Sequence, residues 1–268
     1  PPRQSKKEGD DNDKKETITK HSSTASSPSP QRQNEEPDVC CICLDELPTD
    51  VMKLCRYTCC GKTCCLGCHK NVMKSKMPDE LKNRCHQCRK PTPENDKEQI
   101  DRLREWVGKG EAWAQHRMAQ WYYHGEYGLK QSYVMAAMLY EKAVAQGDPS
   151  AMYDLALLYH HGQGVVQSLQ KTVELYTMAA ERGHVNAMFN LGNGYRDGRY
   201  VAQSFKKAVE LYTMAAQKGN PEAMYNLGIF YRDGQGVVQS FKKSAELFTM
   251  AAEQGYVSAL NSLGALYI

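Results

Sequence analysis

Eleven cysteines fall between Cys40 and Cys88, and the rest of this 268-residue chain has none. Three pairs within that window have C-x-x-C spacing: Cys40 with Cys43, Cys65 with Cys68, and Cys85 with Cys88. A C-x-x-C turn holds two thiolates on one side of a tight knuckle. Two knuckles complete a tetrahedral zinc with Zn–S near ~2.3 Å. Disulfide staples are the other chemistry open to so dense a set. The odd count and the lack of an apolar opening segment favour metal. Three pairs supply six ligands, so a second zinc needs two more from the stretch before Cys65. There "RYTCCGKTCCLGCHK", residues 56–70, packs five cysteines into ten positions, more than one ion can use.

The flanks of these pairs resemble a RING finger. "CCICLDEL" from Cys40 has the Cys-x-Ile-Cys-Leu opening of that family, and "CHQCRKP" from Cys85 is similar to its closing Cys-Pro-x-Cys-Arg. The resemblance implies a cross-brace holding two zinc ions. Cys40, Cys43, Cys65 and Cys68 then form the first site, and Cys85 and Cys88 belong to the second. Lys62 stands at the family's usual histidine place, and an ammonium is no zinc ligand. Cys59 and Cys60 are therefore assigned as the remaining ligands. Neighbouring Cα atoms lie roughly 3.8 Å apart, which suits two ligands of one ion. Cys55 with Cys60 is the alternative and His69 a weaker one; Cys41 and Cys64 are left spare.

The resemblance also implies a function without a catalytic residue. A RING docks a ubiquitin-conjugating enzyme and holds its ubiquitin in a reactive pose. Ile42 and Pro91 match the docking surface. Arg89 matches the cation that bridges both partners, a task suited to the rigid guanidinium fork. His86 replaces the family's proline. The rival reading is a structural zinc module with no ligase partner.

The rest of the chain must position this module. Residues 1–37 have almost no sizeable apolar side chain and read as a disordered leader. Residues 38–92 carry the zinc finger, residues 93–113 a linking and capping helix, and residues 114–268 a repeat. Thr92 and Pro93 offer a cap and first position for that helix, with Ile100, Leu103 and Val107 on one face. The chain starts without Met and stops inside a repeat, which reads as a fragment. A net charge of +3 does not mark a nucleic-acid binder, and no run approaches the roughly 18 apolar residues of a membrane span. A reduced, cytoplasmic setting follows, with a nuclear one also open.

The repeat begins at Ala151, Ala187 and Ala223 with a 36-residue period. A copy from Ala114 is one residue longer, and a partial one starts at Ala259. In each copy a first helix has apolar spacing, as at Ala151, Leu155, Leu158 and Tyr159. Asp148-Pro149 and Asn220-Pro221 supply caps followed by proline. Ser168, Ser204 and Ser240 open the second helix, which should bury Leu169, Val173, Tyr176, Ala179 and Ala180. One pair cannot cover its own faces, so copies stack as a solenoid. The string "LG…Y.DG.GV…KA.ELY..AA..G" resembles the Sel-one-like repeat, a relative of the tetratricopeptide repeat. It implies a mostly α, right-handed solenoid with first helices lining a concave face. Tyr200 departs from the glycine of its sister copies, Gly164 and Gly236, which predicts a reshaped turn.

Tyr153, Phe189 and Tyr225 recur on the first helices, as do Asp154, Asn190 and Asn226. They could grip an extended peptide, but residues recurring in every copy more often serve stacking. Arg196, Arg232, His124, His160 and His161 vary, and could read an acidic partner or be solvated loop charges. Two functions follow. One is a RING-type ubiquitin ligase whose solenoid selects a substrate or adaptor. The alternative is a non-enzymatic interaction scaffold with a structural zinc module.

Overall fold

The same capping chemistry recurs down the chain and sets where each helix starts. The computed structural model describes residues 54–56, 63–65, 70, 71, 74 and 91–266. Two short strands come first, β1 (Leu54–Arg56) and β2 (Thr63–Cys65). They pair antiparallel, with Leu54 opposite Cys65, Cys55 opposite Cys64 and Arg56 opposite Thr63. Among residues 91–266 ten helices follow: α1 (Asp96–Gly108), α2 (Ala112–His124), α3 (Tyr133–Val144), α4 (Pro149–His161), α5 (Leu169–Glu181), α6 (Val185–Asp197), α7 (Phe205–Gln217), α8 (Pro221–Asp233), α9 (Phe241–Glu253) and α10 (Val257–Ala265). Among the described residues, no helix is long and apolar enough to cross a membrane.

The serines open the second helices as their spacing predicts. Ser132, Ser168, Ser204 and Ser240 each accept from the amide three residues on, satisfying one of the first-turn donors that a helix leaves unpaired. Asp148, His184 and Asn220 do the same for α4, α6 and α8. Pro149 and Pro221 follow their caps at the first helical position, where no amide is needed. The first helices therefore begin two residues before the alanines that mark the period.

The linking helix starts later than Thr92-Pro93 suggests. Asn95 caps it, its Oδ1 accepting from the Glu98 amide at 2.9 Å, while Glu98 Oε2 accepts from the Glu94 amide at 2.9 Å. This reciprocal exchange satisfies two donors at once, which a Thr92 cap with Pro93 behind it cannot do. Ile100 and Leu103 are buried and Val107 packs beside them. α1 lies against α2, and Gly110 ends it with the same positive φ that Gly147 shows one copy later. α1 is thus the second helix of a leading half-repeat.

Each helix packs on the next, and the core is a ladder of equivalent side chains. Ala114, Ala151, Ala187, Ala223 and Ala259 are fully buried, as are Ala143, Ala179, Ala215 and Ala251. Tyr140, Tyr176, Tyr212 and Phe248 fill the space these small residues leave. Fit is tight. A Cβ on Gly192 would stand 2.8 Å from the Tyr212 ring, and one on Gly228 would stand 2.6 Å from Phe248. Leu169 departs from expectation, being 40% exposed at the first position of α5. Its predicted place inside is taken by Thr172, fully buried, whose hydroxyl donates to the Ser168 carbonyl at 2.9 Å.

The turn at Tyr200 is rebuilt. Gly164 and Gly236 hold φ near +69° and +68°, against neighbouring backbone that leaves no room for a Cβ. Tyr127 takes the same place in the longer first copy at φ 55°, its ring 4.3 Å from that of Trp121. Tyr200 avoids the left-handed region altogether and turns its ring inward over Gly194, where a Cβ would meet it at 2.1 Å. Its hydroxyl donates to the Asn190 carbonyl at 2.6 Å. Sister copies place Leu158 and Phe230 where Gly194 lies. The third copy thus fills from the loop a space its sisters fill from the helix.

Candidate functional site

Side chains recurring on the first helices join neighbouring repeats. His116 Nε2 lies 2.8 Å from Asp154 Oδ2, which also accepts from Gln120 Nε2 at 3.4 Å. Asn190 Nδ2 donates to the hydroxyls of Tyr153, at 3.3 Å, and Tyr176, at 3.4 Å. Asn193 Oδ1 accepts from Tyr212 at 2.7 Å and from Asn226 at 3.5 Å. Ser262 donates to Tyr225 at 3.5 Å. The tyrosines and amides singled out in the sequence are therefore occupied with stacking, leaving little free to pair a peptide backbone. Burial raises the Tyr153 and Tyr176 hydroxyls above the ordinary phenol range and pushes Tyr212 up to about 12. They stay neutral donors and acceptors at any physiological pH.

The loop cations are also spoken for. Arg196 and Arg232 each fork onto the aspartate that follows, with Nε to Oδ1 at 2.7 Å in both copies. Arg196, first of all by hydrogen bonding, holds the Asp197 carboxyl below the usual carboxylate range, and Arg232 does the same to Asp233. Burial and the neighbouring His161 and Arg199 lower the pKa of His160, whose Nδ1 is buried without a hydrogen-bond partner among the described residues. These residues brace the turns.

An open cleft of about 570 Å³ runs past the beginnings of α4, α6 and α8. Its walls include His116 and Asp154 from the ladder, Ser150 at the start of α4, and two cations, Arg182 and Lys218. Spacing did not single out these cations, because each ends a second helix within a string of varied polar residues. The signal available was the break in periodicity: the equivalent position is Gln146 and Gln254 in the flanking copies.

The zinc-ligand assignments Cys40, Cys43, Cys59, Cys60, Cys68, Cys85 and Cys88 lie outside the described residues, as do Ile42 and Arg89. Cys65 ends β2. Pro91 is described and exposed, and its carbonyl accepts from Arg102 Nη1 at 2.7 Å. Among the described residues, no three His, Cys, Asp or Glu side chains gather to hold a metal ion.

Stacked, equivalently capped helix pairs with a shared alanine ladder define an α-solenoid of helical repeats. The Sel1 repeat family model matches residues 114–148, 149–184, 185–220 and 221–256, and the chain belongs to that family. Its helices superpose on c5321, a protective antigen of uropathogenic Escherichia coli with an SLR fold (29% identity, TM-score 0.63), covering 66% of this chain and 38% of that one. They are similar, too, to a Sel1 repeat protein from Oxalobacter formigenes at 27% identity and TM-score 0.60, over 64% of this chain and 70% of that one. This chain therefore spans well under half the length of the E. coli protein. No curated protein matches it.

Proposed function

We propose that the chain is a protein-interaction scaffold whose solenoid holds a segment of a partner protein. The observation that carries this is the open cleft, lined in turn by side chains from several consecutive repeats. Stacked repeats create extended surfaces of this kind, suited to a long ligand more than to a small molecule. Selecting a peptide library displayed on phage against the 268-residue chain tests it. One consensus should be enriched, and free peptide of that sequence should compete. Failure to enrich any sequence would overturn the scaffold reading.

A ligase reading stands beside it, supported by the three C-x-x-C pairs and by Arg89 directly after Cys88. The antiparallel pairing of β1 and β2, on either side of residues 57–62, is compatible with a small metal-held module. All-thiolate pairs suit a structural zinc, which supplies folding energy rather than chemistry. In this reading two zinc ions are bound and Arg89 hydrogen-bonds ubiquitin and its conjugating enzyme. Metal analysis should return two zinc ions per chain. Ubiquitin discharge should fall about tenfold or more in Arg89→Ala, the loss of one charge-assisted hydrogen bond being worth about 1.5–3 kcal/mol. Discharge by wild type at the rate of conjugating enzyme alone would leave the scaffold as the whole function.

A further inference from the structure

Beyond Lys109 of the leading half-repeat, whose Nζ lies over the Trp106 ring, the four full copies each place a side chain at the end of the second helix, just before the turn glycine: Gln146, Arg182, Lys218 and Gln254. The outer two work inside the solenoid. Gln146 Nε2 donates to Gln115 Oε1 at 2.8 Å, and Gln254 Nε2 reaches the Met224 sulfur at 3.5 Å. In the middle two copies this role is given up for a charge. Arg182 and Lys218 have no carboxylate partner among the described residues, although carboxylates pair the other turn arginines, Arg196 and Arg232. Each cation lies back along the preceding repeat. A Cβ on Gly147 would stand 3.8 Å from Arg182 Nε, and one on Gly183 would stand 3.4 Å from Lys218 Nζ. The two charges are thus set one repeat apart along one wall of the cleft.

The floor has the same sign. The cleft runs past the N-termini of α4, α6 and α8; the Asp148 carboxylate caps the first, and at the other two, capped by His184 and Asn220, the helix dipoles present partial positive charge. Asp154 is the one carboxylate among its lining residues, and it is already engaged by His116 and Gln120. Ser150, which lines the cleft at 7% exposure, carries a buried hydroxyl with no hydrogen-bond partner among the described residues. A buried donor left unmatched costs free energy, and a carboxylate is an acceptor that would satisfy it.

We infer that this cleft binds an acidic segment of a partner protein, with Arg182 and Lys218 receiving side-chain carboxylates a repeat apart. The inference rests on the scaffold reading and names its ligand class. A compact single anion would meet one of the two cations; a segment with several glutamates or aspartates meets both. The open remainder of the cleft leaves room for the connecting chain.

The test is fluorescence anisotropy on the 268-residue chain, with labelled peptides of alternating glutamate and serine or alternating glutamine and serine. The glutamate peptide should bind at least about tenfold more tightly, as charge-assisted contacts predict, and should weaken as salt rises. Arg182→Gln together with Lys218→Gln installs the residue of the flanking copies, so thermal melting should be preserved while the glutamate preference is lost. Lys242→Gln, an exposed cation on α9 outside the cleft, should leave binding as in wild type. Equal affinity for the two peptides would overturn the inference. So would unchanged binding in the double variant, or an equal loss in Lys242→Gln, which would mark general charge attraction. If the phage selection enriches a consensus without acidic residues while the glutamate peptide fails to bind, the scaffold reading stands and the acidic ligand falls.

Discussion

Gly194→Ala should destabilise the third repeat, although alanine is the better helix former by about 1 kcal/mol. The added Cβ would stand 2.1 Å from Tyr200 Cε2 and 2.5 Å from Cζ, inside any tolerable contact. Gly194 is buried in the last turn of α6, packed in the core, so the ring rather than the helix must give way. Tyr200 then loses about half of the roughly 150–250 Å² an aromatic side chain buries. At about 25 cal/mol per Å², that is near 2–3 kcal/mol. Its hydrogen bond to the Asn190 carbonyl, worth about 1 kcal/mol, goes too. Net of the helix gain, a loss of about 2–3 kcal/mol is expected. At about 2–4 °C per kcal/mol for a domain of this size, melting falls by roughly 4–12 °C. Hydrogen exchange should locate the loss in α6 and the turn that follows it. Adding Tyr200→Gly frees the space and restores the glycine of the sister turns, so the double variant should be more stable than Gly194→Ala alone. If Gly194→Ala melts with wild type, or if Tyr200→Gly adds a further full loss on top, the coupling between these two residues is refuted.

Two further outcomes are expected. Ser204→Ala removes the side-chain acceptor for the Lys207 amide and should cost about 1 kcal/mol, with exchange in the first turn of α7 accelerating before that of its neighbours. The Asp197 carboxyl is held low by Arg196 and by Arg199, so its stabilising contribution is fully present above the unfolded value of about 4 and is lost as pH falls through the lower folded value. Asp197→Asn should therefore lower the melting temperature slightly at neutral pH, a few tenths of a kcal/mol for so exposed a pair. The gap to wild type should close in acid; a gap that is constant with pH would contradict this.

Much of the solenoid was legible because its determinants are local. A serine followed three residues later by an amide to bind, or a cap followed by proline, needs no knowledge of distant chain. Periodicity brought out the alanine ladder and the odd Tyr200 for the same reason. What failed locally failed by competition: Thr92-Pro93 looked like a cap, but Asn95 and Glu98 satisfy two donors together and win. Leu169 looked buried from its place in the second-helix pattern, yet at the first position of α5 it is 40% exposed, and Thr172 is buried with its hydroxyl returned to the backbone. The cross-repeat bonds were illegible, since which amide meets which tyrosine depends on the rotation between repeats. For the cleft, the substitution of charge for glutamine at Arg182 and Lys218 was visible in the aligned copies. It took on weight once Arg196 and Arg232 proved to be paired with carboxylates, while Arg182 and Lys218 have none among the described residues. The cysteine assignments depend on residues outside the described ones.

The joints between consecutive repeats differ in chemistry, although the repeats themselves are nearly interchangeable. Imidazole meets carboxylate at the first, amide meets phenol at the second, amide meets amide at the third, and hydroxyl meets phenol at the fourth. Near-identical neighbours invite a folding chain to dock a copy against the wrong predecessor, a characteristic hazard of repeat proteins. A chain that docked the third copy on the first would set Asn190, in place of Asp154, against His116 and Gln120, exchanging a charged acceptor for a neutral amide. Distinct joints therefore act as keys that hold the copies in order. It follows that duplicating or deleting one whole repeat, which the shared caps would tolerate, would be resisted at the junction it creates.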